Sequence, residues 1–200
     1  MNLPNCITLS RIPLMILVVW LMEQRWTGAA LTALLVYVVA ALGDWLDGYL
    51  ARKNRNVSVF GKFMDALTDK IFVLGILIAF VEGQVVSIYW VLPVLCREFL
   101  VSGMRMMAAA KGVVIAAERG GKTKTLVQMI SIGMLLGAPV LSRDFPAWLD
   151  DSFLGRGWDV WAGWLHWAGW LLFVFSVWLT VRSGLEYITK YRRMIFEDGV

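Results

Sequence analysis

The sequence is poor in the residues that build thiolate, disulfide or imidazole sites. Among 200 residues it has two cysteines and one histidine. Cys6 and Cys96 fall at or inside apolar segments, form neither a metal-ligand spacing nor a disulfide framework, and read as inert thiols. His166 stands alone in a tryptophan-rich stretch, where an interfacial residue is expected rather than a ligand or a base. A cleavable signal pattern is missing: Arg11 interrupts the first apolar run and no small-residue cleavage site follows. No internal repeat or low-complexity segment occurs. Charged residues make up 17% of the chain against 59% apolar ones, more apolar surface than a soluble domain of this length carries. The expected class is an all-α integral membrane protein, with residues 1–200 forming a single membrane domain.

A spanning helix needs about 20 mostly apolar residues. Six such segments are predicted, at about 6–24, 28–50, 64–82, 86–108, 123–141 and 160–182. The second, third and fourth reach that length only by including charged residues, so their helices should project beyond the hydrocarbon on one side. Lys and Arg gather in alternate connections: Arg52, Lys53, Arg55 and Lys62; then Arg105, Lys111, Arg119, Lys122 and Lys124; then Arg182, Lys190, Arg192 and Arg193. The opposite connections hold only Arg25, Arg143 and Arg156. The positive-inside rule puts the basic side and both termini in the cytoplasm. The outer side then has one sizeable loop, about 142–159. The net charge of +4 matters less than this placement, and no nucleic-acid partner is expected. Trp158, Trp161, Trp164, Trp167 and Trp170 recur every third residue, a spacing that winds slowly around a helix. An interfacial aromatic belt explains them, with an acyl-chain or partner-protein surface as the sharper alternative.

One stretch stands apart. It runs Asp44-Trp-Leu-Asp47-Gly48-Tyr-Leu-Ala51-Arg52, eight residues, then Gly61-Lys-Phe-Met-Asp65-Ala-Leu-Thr-Asp69. Aspartates three apart (44, 47) and four apart (65, 69) fall on one face of a helix, so two helices can present all four to a shared site. Carboxylates at a membrane edge need a compensating partner. Four of them without a nearby His or Cys form a hard, oxygen-only set that favours Mg²⁺ or Mn²⁺, and two divalent ions balance their charge. Two-metal sites recur in phosphoryl chemistry because they stabilise both the entering and the leaving oxygen. Gly48 and Ala51, one turn beyond the first pair, let a flat or phosphorylated ligand approach the backbone. Arg52 can pair with a phosphate. Gly61, read as preceding the third helix, frees an N-terminal turn where anions are favoured. The plainer alternative has the glycines relax a loop while the aspartates cap helices and pair with Arg52, Lys62 and Lys70.

The pattern D-x2-D-G-x2-A-R-x8-G-x3-D-x3-D resembles the signature of the CDP-alcohol phosphatidyltransferases, six-helix membrane enzymes that join a CDP-linked lipid to an alcohol and release CMP. Every signature position is present; Ala66, where many relatives have proline, departs from the common pattern and leaves the ligands intact. The resemblance implies that Asp44, Asp47, Asp65 and Asp69 bind two Mg²⁺ or Mn²⁺ ions and that Asp69 is the base that activates the acceptor hydroxyl. It implies that Asp44, Gly48, Ala51, Arg52 and Gly61 contact the CDP group, and that the enzyme is a homodimer in the bacterial cytoplasmic membrane.

Other positions must choose the acceptor. Leu3-Pro4-Asn5-Cys-Ile-Thr8-Leu-Ser-Arg11, Arg97-Glu98-Phe99, Ser102-Gly103-Met-Arg105, Gly121-Lys122-Thr-Lys124-Thr125 and Ser183-Gly184-Leu-Glu186-Tyr187 look like the branch of the family that combines CDP-diacylglycerol with glycerol 3-phosphate. That acceptor is a small dianion, and a site already holding carboxylates needs fixed cations to attract it. Arg97 and Arg105, eight apart, lie on roughly one helical side. Arg97 is too deep in an apolar run to be a casual surface charge, and Glu98 is a candidate counterion. Lys122 and Lys124 sit at the mouth of the fifth segment, as phosphate ligands or as anchors for anionic headgroups. Thr8 and Arg11 approach from the first segment, Arg11 with a headgroup-anchor alternative. The rival readings are a sibling enzyme using inositol phosphate, serine or phosphatidylglycerol, a divalent-cation transporter, and a non-catalytic membrane scaffold.

Overall fold

The computed structural model describes residues 3–54, 59–110, 119–149 and 157–196, with all their side chains except those of 3–8, 44–54, 59–63, 65–66, 110, 119–122 and 192–196. The described residues contain no strand. Six long helices carry the fold: α1 (Leu3–Glu23), α2 (Ala29–Asn54), α3 (Val59–Glu82), α4 (Ile88–Ala110), α5 (Arg119–Pro139) and α7 (Gly157–Phe196), with the short α6 (Phe145–Trp148) between the last two. They coincide with the six predicted apolar segments. The shortest has 21 residues and α7 has 40, or about 30 Å and 60 Å at 1.5 Å per residue.

Three boundaries differ from expectation. Helix α3 starts at Val59, so Gly61 is its third residue and does not precede it. In that first turn the backbone N–H groups have no intrahelical partner anyway, so a glycine there does not break the helix. Helix α7 continues 14 residues past position 182, through Ser183-Gly184, because polar and aromatic residues follow without a proline or a turn signal. The loop expected at 142–159 is partly helical. Pro139 cannot donate to the preceding turn, and the chain widens into a π-helical turn, Val140–Asp144, before α6.

All six long helices contribute to one core, including Val18, Tyr37, Phe72, Ile76, Phe80, Val94, Ile132 and Phe173. Helix α1 lies against α2 and α3, and α5 runs along α7. The α5–α7 approach is close: a Cβ at Gly169 would stand 3.0 Å from Met134 Cβ and 3.2 Å from the Leu135 backbone nitrogen. Small residues at such crossings let helices pack without a hydrophobic driving force.

The outward faces are apolar. Trp20 on α1, Val39 on α2, Ile78 on α3, Phe99 on α4, Leu126 on α5 and Leu171 on α7 are all exposed. An apolar exterior of this extent fits a lipid environment. By length and composition, two stretches among the described residues qualify as spans, Thr123–Trp148 and Gly157–Tyr191, with mean hydropathies of 1.7 and 1.5. The tryptophan run winds as its spacing requires: Trp161, Trp164 and Trp167 face outward. Trp170 turns in against Trp90 at 6.2 Å, and Trp158 packs edge-on against Phe145 at 5.3 Å.

Candidate functional site

Helical geometry brings chemistry to one end of the bundle. The C-terminal half of α2 carries the positions of Asp44, Asp47, Gly48, Ala51 and Arg52, and the N-terminal half of α3 carries Gly61, Asp65 and Asp69. Both aspartate pairs therefore sit on continuous helix at i,i+3 and i,i+4 spacing. Of these eight residues only Asp69 has a described side chain; those of the other seven, and of Thr8 and Lys122, lie outside the described residues. The described residues contain no group of three metal-ligating side chains.

Around Asp69 the structure collects cations. Arg11 Nη1 on α1 stands 3.9 Å from Asp69 Oδ1; the arginine side chain is 3% exposed and the aspartate 39%. Such burial leaves Arg11 no reach to a lipid headgroup, so the anchor alternative falls. Lys70 Nζ donates to Ser102 Oγ on α4 at 2.5 Å, and that hydroxyl donates to the Glu98 carbonyl at 2.6 Å. Glu98 Oε1 accepts from Arg97 Nη1 at 3.1 Å and from Lys124 Nζ on α5. Lys124 is buried and spends its charge on Glu98. Arg97 lays its aliphatic stem against Gly184 of α7, where a Cβ would meet Arg97 Cγ at 3.0 Å. About two turns further along α4, exposed Arg105 stacks its guanidinium over the Tyr187 ring at 5.7 Å. Both arginines thus face α7, in keeping with their eight-residue spacing.

A cavity of about 60 Å³ adjoins this cluster, lined by Asp69, Lys70, Glu98, Thr125 and Gln128 above an apolar floor. Arg11, Lys70, Arg97 and Lys124 set against Asp69 and Glu98 leave the described groups with a positive excess. That is an environment for a polyanion whose reacting atom lies near a carboxylate.

A larger cavity, about 580 Å³, lies elsewhere. It opens at the opposite end between α1, α2, α3 and α5, with Arg25, Glu82 and Arg143 on its rim. The opposite end holds one buried carboxylate that sequence reasoning missed. Asp144 Oδ1 accepts from the Gly28 backbone N–H at 2.9 Å and Oδ2 from Leu31 N–H at 2.8 Å, capping α2 from 113 residues or more away in sequence. Gly28 is required there, with φ of +100° and a Trp148 ring atom 3.0 Å from where a Cβ would stand.

Gln128 was also missed. A signal was available: it is a polar residue in the apolar run Leu126-Val-Gln128-Met-Ile, one helical turn after Lys124.

Comparison with known proteins adds an independent line. Residues 1–178 match the family described as CDP-alcohol phosphatidyltransferase. A curated relative from Bacillus subtilis (strain 168), named CDP-diacylglycerol--glycerol-3-phosphate 3-phosphatidyltransferase, is 34% identical over 203 residues, covering 94% of this chain and 94% of its own length. A protein of the same name from Rickettsia bellii (strain RML369-C) is 36% identical over 138 residues, covering 68% of this chain and 75% of its own. Another from Wigglesworthia glossinidia brevipalpis is 34% identical over 145 residues.

Proposed function

The chain belongs to the CDP-alcohol phosphatidyltransferase family, and from that premise we propose that it transfers the phosphatidyl group of CDP-diacylglycerol to sn-glycerol 3-phosphate, giving phosphatidylglycerol phosphate and CMP. The observation that carries the choice of a phosphorylated acceptor is the cationic surround of Asp69, built from buried Arg11 and Lys124 with Lys70 and Arg97, and among phosphorylated acceptors the names of the relatives favour glycerol 3-phosphate. A dianionic acceptor uses such a surround; serine, or a lipid acceptor, leaves it without a ligand.

In this reading residues 1–200 form one membrane domain of six spans. The Asp69 end and both termini face the cytoplasm of a bacterial cell, and the enzyme is a homodimer in the inner membrane. The apolar exteriors of all six long helices and the one-sided Lys/Arg distribution support the spans and their orientation; the homodimer rests on the family resemblance alone. CDP-diacylglycerol enters from the bilayer with its acyl chains in lipid. Its cytidine lies over Gly48 and Ala51, with Arg52 and Gly61 beside the diphosphate. Thr8, Arg11, Arg97, Arg105, Lys122 and Lys124 form the acceptor side, with Lys124 and Arg97 acting partly through Glu98.

Asp44, Asp47, Asp65 and Asp69 suit two Mg²⁺ or Mn²⁺ ions, because continuous α2 and α3 bring two oxygen-only pairs to one end of the bundle. Such ions supply charge neutralisation for the diphosphate and the departing CMP. Asp69 accepts the proton of the acceptor's free primary hydroxyl. That oxygen bonds to the lipid-linked phosphorus as the bond to CMP breaks. Arg11, 3.9 Å from Asp69 Oδ1, helps to fix the position of that carboxylate. Positioning and charge stabilisation account for most of the rate, as in other phosphoryl transfers.

The test is release of CMP by purified protein given CDP-diacylglycerol and Mg²⁺, with glycerol 3-phosphate, inositol phosphate, serine and phosphatidylglycerol in separate reactions. Release with glycerol 3-phosphate alone is expected. Turnover with another acceptor would keep the donor chemistry and overturn the assignment of the cationic surround. No turnover with any, in folded protein, would favour an acceptor outside these four or the transporter and scaffold readings.

A further inference from the structure

The small cavity beside Asp69 is lined by Gln128, which the mechanism above does not use. Gln128 is 4% exposed, and its Nε2 atom is buried with no hydrogen-bond partner among the described residues. The other polar neighbours are engaged: Lys70 with Ser102, and Glu98 with Arg97 and Lys124. A buried amide donor left open is unfavourable unless a ligand or a water completes it. Its place is informative, because Gln128 and Asp69 line the same cavity.

The volume sets what can enter. About 60 Å³ is too small for a whole phosphorylated triol but admits a single hydroxyl-bearing carbon. Glycerol 3-phosphate offers that group. Its reacting oxygen is on one terminal carbon and its phosphate on the other. The secondary hydroxyl lies between them, one carbon from the oxygen that Asp69 deprotonates. With the reacting oxygen at Asp69 and the phosphate among the cations, the neutral hydroxyl is the part that reaches an uncharged amide.

We propose that Gln128 is a specificity-determining residue, whose side-chain amide donates to the secondary hydroxyl of the acceptor within the cavity beside Asp69. This rests on the proposed acceptor. Sites built to hydrogen-bond a hydroxyl reject analogues lacking it far more strongly than apolar pockets reject added groups. A reader of the hydroxyl therefore suits an enzyme that must refuse other small phosphate esters.

The experiment compares kcat/KM for glycerol 3-phosphate with that for 3-hydroxypropyl phosphate, which keeps the primary hydroxyl and the phosphate but lacks the secondary hydroxyl. The wild type should prefer glycerol 3-phosphate by at least ~10-fold. In Gln128→Met, similar in length and without the donor, that ratio should fall to within about threefold of unity. A ratio near one in the wild type overturns the proposal without any variant, so a Gln128→Met protein that fails to fold does not protect it. Equal losses on both acceptors in Gln128→Met, with the ratio kept, also overturn it and assign Gln128 a structural or water-holding role. A wild type inactive with both phosphate esters but active with another acceptor sinks the functional reading, and this inference with it.

Discussion

Each end of the helical bundle holds a shielded carboxylate, and the two are neutralised in opposite ways. Asp144 is met by two backbone N–H groups at the start of α2. Its partners are fixed dipoles, its bonding is complete, and nothing mobile is needed. Glu98, at the other end, is met by the side chains of Arg97 and Lys124 on two helices. Around it stand Lys70, Arg11 and the half-exposed Asp69, with an open amide at Gln128. A closed arrangement of dipoles holds a fold together. An assembly of full charges on several helices, with an open donor among the described residues, is arranged for something that arrives.

The comparison can be broken by removing each carboxylate. Glu98→Ala should give the largest loss of stability, about 3 kcal/mol, because it leaves buried Lys124 without its counterion. Glu98→Ala with Lys124→Met should recover much of that loss, since the stranded charge leaves as well. Thermal unfolding in detergent measures both, and a double variant no more stable than the single one would refute the pairing account. Asp144→Ala should remove about 2 kcal/mol by freeing one buried and one part-buried N–H group. Asp144→Asn, which keeps an acceptor for one of them, should lose less. Gly28→Ala should lose about 1–2 kcal/mol from left-handed backbone alone, with crowding by Trp148 added. At the small end, Arg182→Ala should change stability by less than about 0.5 kcal/mol. Its 2.9 Å pair with Glu186 is exposed on both sides, at 62% and 57%.

The two ends were unequally legible in the sequence. The Asp69 end could be read because a helix puts i, i+3 and i+4 on one face, so the aspartate spacing encodes proximity locally. The eight-residue spacing of Arg97 and Arg105 encoded their shared side in the same way. The six long helices were legible from apolar length. The Asp144 cap was not, because its partners are backbone atoms 113 residues or more away and any helix start offers the same groups. Nor was the π-helical turn that delivers it, for which Pro139 is a cue without a direction. Lys124 read as a cation at the rim and is instead buried on Glu98. Charge pattern gives a residue's side of the membrane but not its counterion. Gln128 was passed over because an uncharged amide in an apolar run carries no pattern of its own.

The most direct test of this division of labour is CMP release from CDP-diacylglycerol and glycerol 3-phosphate by Asp69→Asn and Asp144→Asn, prepared side by side and normalised to folded protein. The expected result is a loss of 10²-fold or more for Asp69→Asn in protein that remains folded, and near wild-type turnover for Asp144→Asn with its unfolding temperature lowered. Asp69→Asn retaining activity, or Asp144→Asn losing it while remaining fully stable, would contradict the assignment of chemistry to one end and structure to the other.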